Sequence, residues 1–286
     1  MHNMDSEDSE DDIFKDVELQ VLRESLQGKA KNTIKSYTQT YGKLRLALDK
    51  EVKSASQQLI IETAQKMSDN LNTQAAIINV GILMRRLYAL DVKELEVKRK
   101  ENKKGITAYT QKENEKLGSS LPSLDEFDAH LELLYSQNRF GEYIINFLIR
   151  HLQTRNQDLV FELVTKRTEV KSDGKNYMHL GRGKALYYRR DYKTEKTYGE
   201  KINEIKDKQF LAALRKAQFP LIPNPLQVGY YVKKMSFREL GEGNLLKVII
   251  NDLRVKGDLH AINQISKNRG TDSCLLLTSY NVQPKT

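Results

Sequence analysis

One cysteine, Cys274, is all the chain contains, so there is no internal disulfide framework. Its five histidines, at 2, 130, 151, 179 and 260, fall at no metal-ligand spacing, and no structural metal is expected. No apolar run approaches the roughly 20 residues that a membrane helix needs, and the first residues are acidic rather than signal-like. The reading is a soluble, intracellular protein with no membrane partner. Internal repeats are absent. So are a Walker loop and an acidic metal cluster: Gly181-Arg182-Gly183-Lys184 is too short for a nucleotide loop and reads as a turn with phosphate contacts. No cofactor is expected.

What is present is positive charge, unevenly placed. The 286 residues carry a formal charge of +9. Residues 1–17 hold seven acids (Asp5, Glu7, Asp8, Glu10, Asp11, Asp12, Asp16) against Lys15, so 46 basic residues face 31 acidic ones in the remainder, a net +15. A folded body that basic calls for a polyanion, and nucleic acid is the commonest in a cell. The acidic, serine-rich start reads as a disordered tail. The chain is long enough for two domains, each with its own core.

From Val17 the pattern turns helical, with Leu19, Leu22 and Leu26 on one face before Gly28. Asn32 or Thr33 is expected to cap a helix whose apolar stripe is Ile34, Tyr37, Tyr41, Leu44 and Leu48. Lys31, Lys35, Lys43 and Arg45 decorate its other faces and suit a DNA-clamping bundle. A third helix is expected near residues 56–69 and a fourth over 73–90, apolar around most of its circumference and so central to the bundle. Arg85 and Arg86 near its end, and Lys98, Arg99 and Lys100 after it, are assigned to DNA contact. The polar stretch to Ser120 is expected as a linker over residues 107–122, dividing a helical domain (18–106) from a second domain (123–286).

The second domain opens at Ser123, where S-L-D-E reads as a capping box, and a longer apolar helix follows over 140–152. The period then changes. Residues 185–192 and 201–205 read as strands around a turn at 194–199, and helix resumes over 207–218 until F-P-L-I-P-N-P breaks it. Residues 244–255 and 259–268 are helical, the second capped by Asp258. The fold expected is mainly α with a small antiparallel sheet.

Three separated features converge on one chemistry. Arg155 follows the apolar helix in T-R-N-Q-D-L, Lys193 lies in Y-K-T-E-K-T-Y-G at the strand-pair tip, and Tyr280 closes an apolar helix after the turn Arg269-Gly270-Thr271-Asp272. Attack on a phosphodiester builds negative charge on the non-bridging oxygens, and a guanidinium fork stabilises it bidentately. Arg155 is the candidate for that task, with Asp158 either holding it in place or capping the next helix. Lys193 is the candidate general acid for the leaving oxygen, and Lys196 is its neighbouring substitute. Tyr280 is the candidate nucleophile; a phosphotyrosine conserves the bond energy for rejoining without ATP or metal.

In that order these motifs resemble the tyrosine recombinase family, the phage integrases, and are most like divergent integrase-like proteins of large DNA viruses. The resemblance spans nearly everything after the acidic tail. It implies an N-terminal core-binding bundle and an α+β catalytic domain acting on double-stranded DNA through a 3′-phosphotyrosine. It also implies assembly as a tetramer on DNA, with the nucleus or a viral replication compartment of a host as the place of work. The chain departs from the family at the second basic box, normally His-x-x-Arg. Asn251-Asp252-Leu253-Arg254 keeps the arginine at a helix end, whereas Asn244-Leu245-Leu246-Lys247 places the box at a helix start and is preferred, with Arg269 as a further source of a guanidinium. By register from Tyr280, Thr271 stands where the family has His or Trp. Lysine is a poorer phosphate fork than arginine, so two alternatives stay open: a catalytically weakened DNA-binding or structural relative, and a nicking-closing enzyme of the type IB topoisomerase kind.

Overall fold

The computed structural model describes residues 16–118, 120–191 and 199–280. They form two compact units that divide between Thr110 and Gln111, inside the stretch expected as a linker. The fold is mainly helical with one four-stranded sheet. Among the described residues no helix is long and apolar enough to cross a membrane.

The first unit is built on α1 (Val17–Ser25), α2 (Lys31–Leu48), α3 (Gln57–Met67) and α4 (Leu71–Leu87). Asp16 and Val17, read as the end of the acidic tail, are instead the N-cap and first residue of α1, and the Asp16 carboxylate accepts the Leu19 N–H at 3.0 Å. The rest of that tail lies outside the described residues. Asn32 and Thr33 do not cap α2. The cap is Ala30, whose extended backbone turns its carbonyl to the N–H groups of Thr33 and Ile34 at 2.8 and 3.1 Å. On α2, Tyr41, Leu44 and Leu48 are buried while Lys31, Lys35 and Lys43 are exposed, as a helical stripe requires. The largely apolar α4 packs against α1, α2 and α3. A side chain at Gly81 would come within 2.9 Å of Ile60, so this glycine sets how closely α3 and α4 approach.

The expected linker is helical as far as Gly118, because α5 runs from Lys93 to Gly118. Its sequence is polar but rich in Lys and Glu, both good helix formers, and pairs such as Lys98–Glu101 and Lys116–Glu113 reinforce it at i, i+3. Composition marked the segment as polar; it did not make it irregular.

The second unit centres on α7 (Phe140–Leu152), against which α6 (Leu124–Ser136), α8 (Lys208–Lys216), α9 (Val228–Met235) and α10 (Gly241–Val255) pack. The Ser123 capping box with Glu126 is present. Buried Asn146 on α7 ties in the entry to α10, donating to the Met235 carbonyl and accepting the Phe237 N–H at 2.9 Å each. Helices α11 (Leu259–Arg269), capped by Asp258, and α12 (Ser273–Ser279) complete the unit.

The sheet has four strands in the order β1 (Phe161–Val164), β2 (Asn176–Leu180), β3 (Ala185–Arg189), β4 (Lys201–Ile205). It is mixed, not antiparallel: β2, β3 and β4 form an antiparallel meander, but the chain crosses over after β1, which therefore pairs with β2 in parallel. The Gly181–Lys184 turn closes the β2–β3 hairpin through Gly181 N–H to the Lys184 carbonyl at 2.9 Å. Strand β3 stops at Arg189, three residues short of the expected end.

Candidate active site

The site grows from the end of α7. Gln153 turns left-handed there (φ 47°), ending the helix and releasing Thr154 and Arg155 from it. A short 3-10 turn, Gln157–Leu159, follows at once and brings Asp158 back beneath Arg155. Asp158 is fully buried, and its Oδ2 accepts the main-chain N–H of Arg155 at 2.9 Å. The same oxygen is paired with the guanidinium of Arg189, itself 2% exposed. Asp158 does hold Arg155, but by its backbone, while the carboxylate's charge goes to an arginine on β3. Tyr187, on the same face of β3, donates its phenol to the Asp158 carbonyl.

From the other side comes the C-terminal segment. The Arg155 Nη2 donates to Thr271 Oγ1 at 2.8 Å, while Nη1 is buried without a hydrogen-bond partner among the described residues. Burial first, and then the charge of Arg269, lowers the proton affinity of Arg155; Asp158, Glu242 and Tyr280 act in the opposite sense. Tyr280 is thus within electrostatic reach of Arg155, at the end of α12, where its N–H bonds the Leu276 carbonyl at 3.1 Å and its side chain packs against the core of the unit. Thr271 therefore touches Arg155.

Arg269 is 5% exposed and committed. It donates to the carbonyls of Gln153 (2.8 Å) and Thr154 (3.4 Å) and to Glu242 Oε1 (2.6 Å). Rather than standing open to a phosphate, it ties the last turn of α11 and the first turn of α10 to the exit of α7. Gly270, left-handed at φ 57°, then lets the chain reverse into Thr271. This buried fork ties the segment that leads to Tyr280 to the exit of α7 that carries Arg155, 125 positions earlier in the sequence.

Lys247 lies on α10 five residues beyond Glu242, a rise of about 7.5 Å, and Arg254 lies twelve residues beyond it, about 18 Å. Glu242 is anchored at Arg269, so Lys247 is the nearer of the two box candidates. Lys247 is half-buried, and burial alone pushes its ammonium down. Lys193 and Lys196 lie outside the described residues. Of the residues assigned to DNA, Arg85 is engaged by the Asp91 and Ala55 carbonyls at 2.7 and 2.6 Å, and Arg86 pairs with Glu96 at 2.5 Å. Arg99 sits 3.8 Å from Glu96, and Lys100 is exposed.

No family model matches this chain, and no curated protein or solved structure matches it. The site has to be judged by its own chemistry.

Four contributors escaped the sequence reading: Arg189, Tyr187, Glu242 and Lys201. Lys201, opposite Arg189 in the β3–β4 ladder, donates its ammonium to the Lys267 and Asn268 carbonyls at 2.8 and 2.9 Å. Burial, then Arg189 and Arg155, lower its proton affinity, with Asp158 opposing. For Arg189 a signal existed: Tyr187 and Arg189 are two apart in a strand, so an inward tyrosine carries the arginine inward with it. Among the described residues there is no group of three or more His, Cys, Asp or Glu placed to hold a metal.

Proposed function

We propose that this chain breaks and rejoins DNA strands through a covalent tyrosine intermediate, in the manner of a tyrosine recombinase. The observation that carries the reading is Arg155. Its guanidinium is half-buried, fixed at one nitrogen by Thr271 and at its main chain by Asp158, and it has a second nitrogen buried with no partner within reach of Tyr280's field. A buried, unsatisfied guanidinium N–H is costly, and a phosphate oxygen is the group that satisfies such a fork.

In this reading, one non-bridging oxygen of a DNA phosphate accepts from Arg155. The Tyr280 phenol gives its proton to solvent water and its oxygen bonds to phosphorus while the bond from phosphorus to the 5′ oxygen breaks, and that oxygen takes a proton, the task assigned to Lys193. The strand is left joined to Tyr280 through its 3′ phosphate. Attack by a 5′ hydroxyl reverses the steps and frees the phenol. Lys247 supplies the second positive charge, and Arg269 acts by holding the loop of Arg155 rather than by touching phosphate.

The test is incubation with end-labelled suicide duplexes of randomised sequence, followed by denaturing electrophoresis. A protein–DNA adduct lost in Tyr280→Phe and in Arg155→Ala is the expected result; no adduct from the wild type rejects strand transfer. A second reading, a DNA-binding relative with weakened catalysis, is favoured by the commitment of Arg269, which leaves a lysine as the partner of Arg155. Tight, salt-dependent DNA binding without adduct is its signature.

A further inference from the structure

Arg189 has no place in the chemistry just described, yet it is among the largest fully buried side chains of the described residues and meets the same Asp158 oxygen as the Arg155 N–H. A buried ion pair is a poor way to gain stability, since apolar packing of the same volume often does as well. The question is what the charge accomplishes there. Its partner oxygen is not a spare one: Asp158 Oδ2 receives Arg189 and the Arg155 N–H together. Arg189 and Tyr187 project from one face of β3 and grip Asp158 at both ends, the first at the carboxylate, the second at the carbonyl. Asp158 is therefore fixed to the sheet, and the Arg155 main chain is fixed to Asp158.

We propose that Arg189 is a positioning residue for Arg155, acting through the shared Asp158 carboxylate and setting where the Arg155 fork meets a phosphate. Thr271 then fixes only the guanidinium end, and the sheet fixes the backbone end. For its functional meaning the inference rests on the strand-transfer reading; its geometric content does not. Without Arg189 the Asp158 carboxylate is free to swing, the Arg155 N–H loses its fixed acceptor, and the fork is displaced. A displacement of about 1 Å at such a group costs on the order of 100-fold in rate.

The experiment uses the full chain and three variants: Arg189→Met, Arg189→Lys, and Arg189→Met/Asp158→Asn, which removes cation and anion together so that no lone charge is left buried. Two readouts are taken, hydrogen exchange of the Arg155 amide and the rate of Tyr280-dependent adduct formation, with DNA affinity measured alongside. The expected result is exchange at Arg155 about 100-fold faster in Arg189→Met and in the double variant, while amides inside α7 stay as slow as in the wild type. Adduct formation falls by a similar factor with DNA affinity unchanged within about threefold, and Arg189→Lys recovers most of both. Wild-type protection at Arg155 in the folded double variant overturns the proposal. Absence of any adduct from the wild type counts against strand transfer alone, and the exchange result still decides the positioning.

Discussion

Among the described residues each unit buries one carboxylate completely, Glu18 in the first and Asp158 in the second, and the two are held in different ways. Glu18 accepts only neutral donors: the N–H groups of Val52 and Lys53 at 2.8 Å each and the Tyr41 phenol at 3.0 Å. Asp158 accepts one N–H and a buried arginine. The first arrangement pins α1 to the turn before α3 and needs nothing further. The second imports a positive charge into the core next to Arg155, and a second buried arginine, Arg269, lies just beyond it. Among the described residues the first unit buries no cation, whereas the second buries Arg189 and Arg269.

The comparison predicts its own largest effect at Asp158. Asp158→Ala strands Arg189 without its counter-ion, and breaking a buried pair from one side costs about 3–5 kcal/mol. Urea unfolding followed by circular dichroism should show that loss, and the adduct assay should show none of the wild-type product. If the variant unfolds no more easily than one altered at Glu18, the distinction between the two carboxylates is wrong.

Glu18→Gln comes next. The amide keeps one acceptor but turns an N–H toward donors, so one charge-assisted bond is lost outright, at about 1.5–3 kcal/mol. The measurement is the same unfolding curve, and DNA cleavage by folded protein should be unaffected. A fall in cleavage would mean that Glu18 does more than anchor α1.

Much of this frame can be read from the residues. The apolar run of α7 and the alternating strand β4 stand at the boundaries that their periods predict, and Ser123 with Glu126 forms the box that its spacing announces. Strand β1, F-E-L-V, is too short for any period to register, and its parallel partner lies across a crossover that no local signal reports. Helix α9 hides behind the prolines that precede it. At the site, Arg155 follows the end of α7 and Thr271 the end of α11, places that the breaks in period mark, and each is hydrogen-bonded to its neighbour in the site, Arg155 to Asp158 and to Thr271. Arg269 misleads for the same reason: an arginine before a glycine turn looks exposed, and only the tertiary fold reveals that the carbonyls of Gln153 and Thr154 lie across from it. Partners brought in from another part of the chain leave no trace in spacing.

A smaller effect belongs to Tyr41, whose single O–H is shared between Glu18 and Asp16, the latter at 2.8 Å. Burial, and then the Asp16 and Glu18 carboxylates, push this phenol well above its ordinary value of 10.0. The folded state thus favours the protonated form, so the contribution is whole below about pH 10 and is lost as pH rises beyond it, where the unfolded chain ionises first. Tyr41→Phe should cost about 1 kcal/mol at neutral pH. Its urea midpoint should also fall less steeply than the wild type's between pH 9 and 11. Equal slopes would remove Tyr41 from the alkaline behaviour of the first unit.

The smallest effect on folding is expected where the first unit keeps its charge outside. Lys31, Lys35 and Lys43 are exposed on α2 and make no ion pair among the described residues, so replacing all three with Gln should change stability by no more than about 0.5 kcal/mol. Their contribution, if this face meets the phosphate backbone, appears in binding. Each phosphate contact releases counterions, and losing three should flatten the plot of log affinity against log salt by about 2 to 3 units. Arg85→Gln is the internal control, since its donors already serve the Asp91 and Ala55 carbonyls, and it should leave that slope unchanged while lowering stability. A triple variant with the wild-type slope would move the DNA face away from α2, and an altered slope in Arg85→Gln would show that this arginine leaves its carbonyls when DNA arrives.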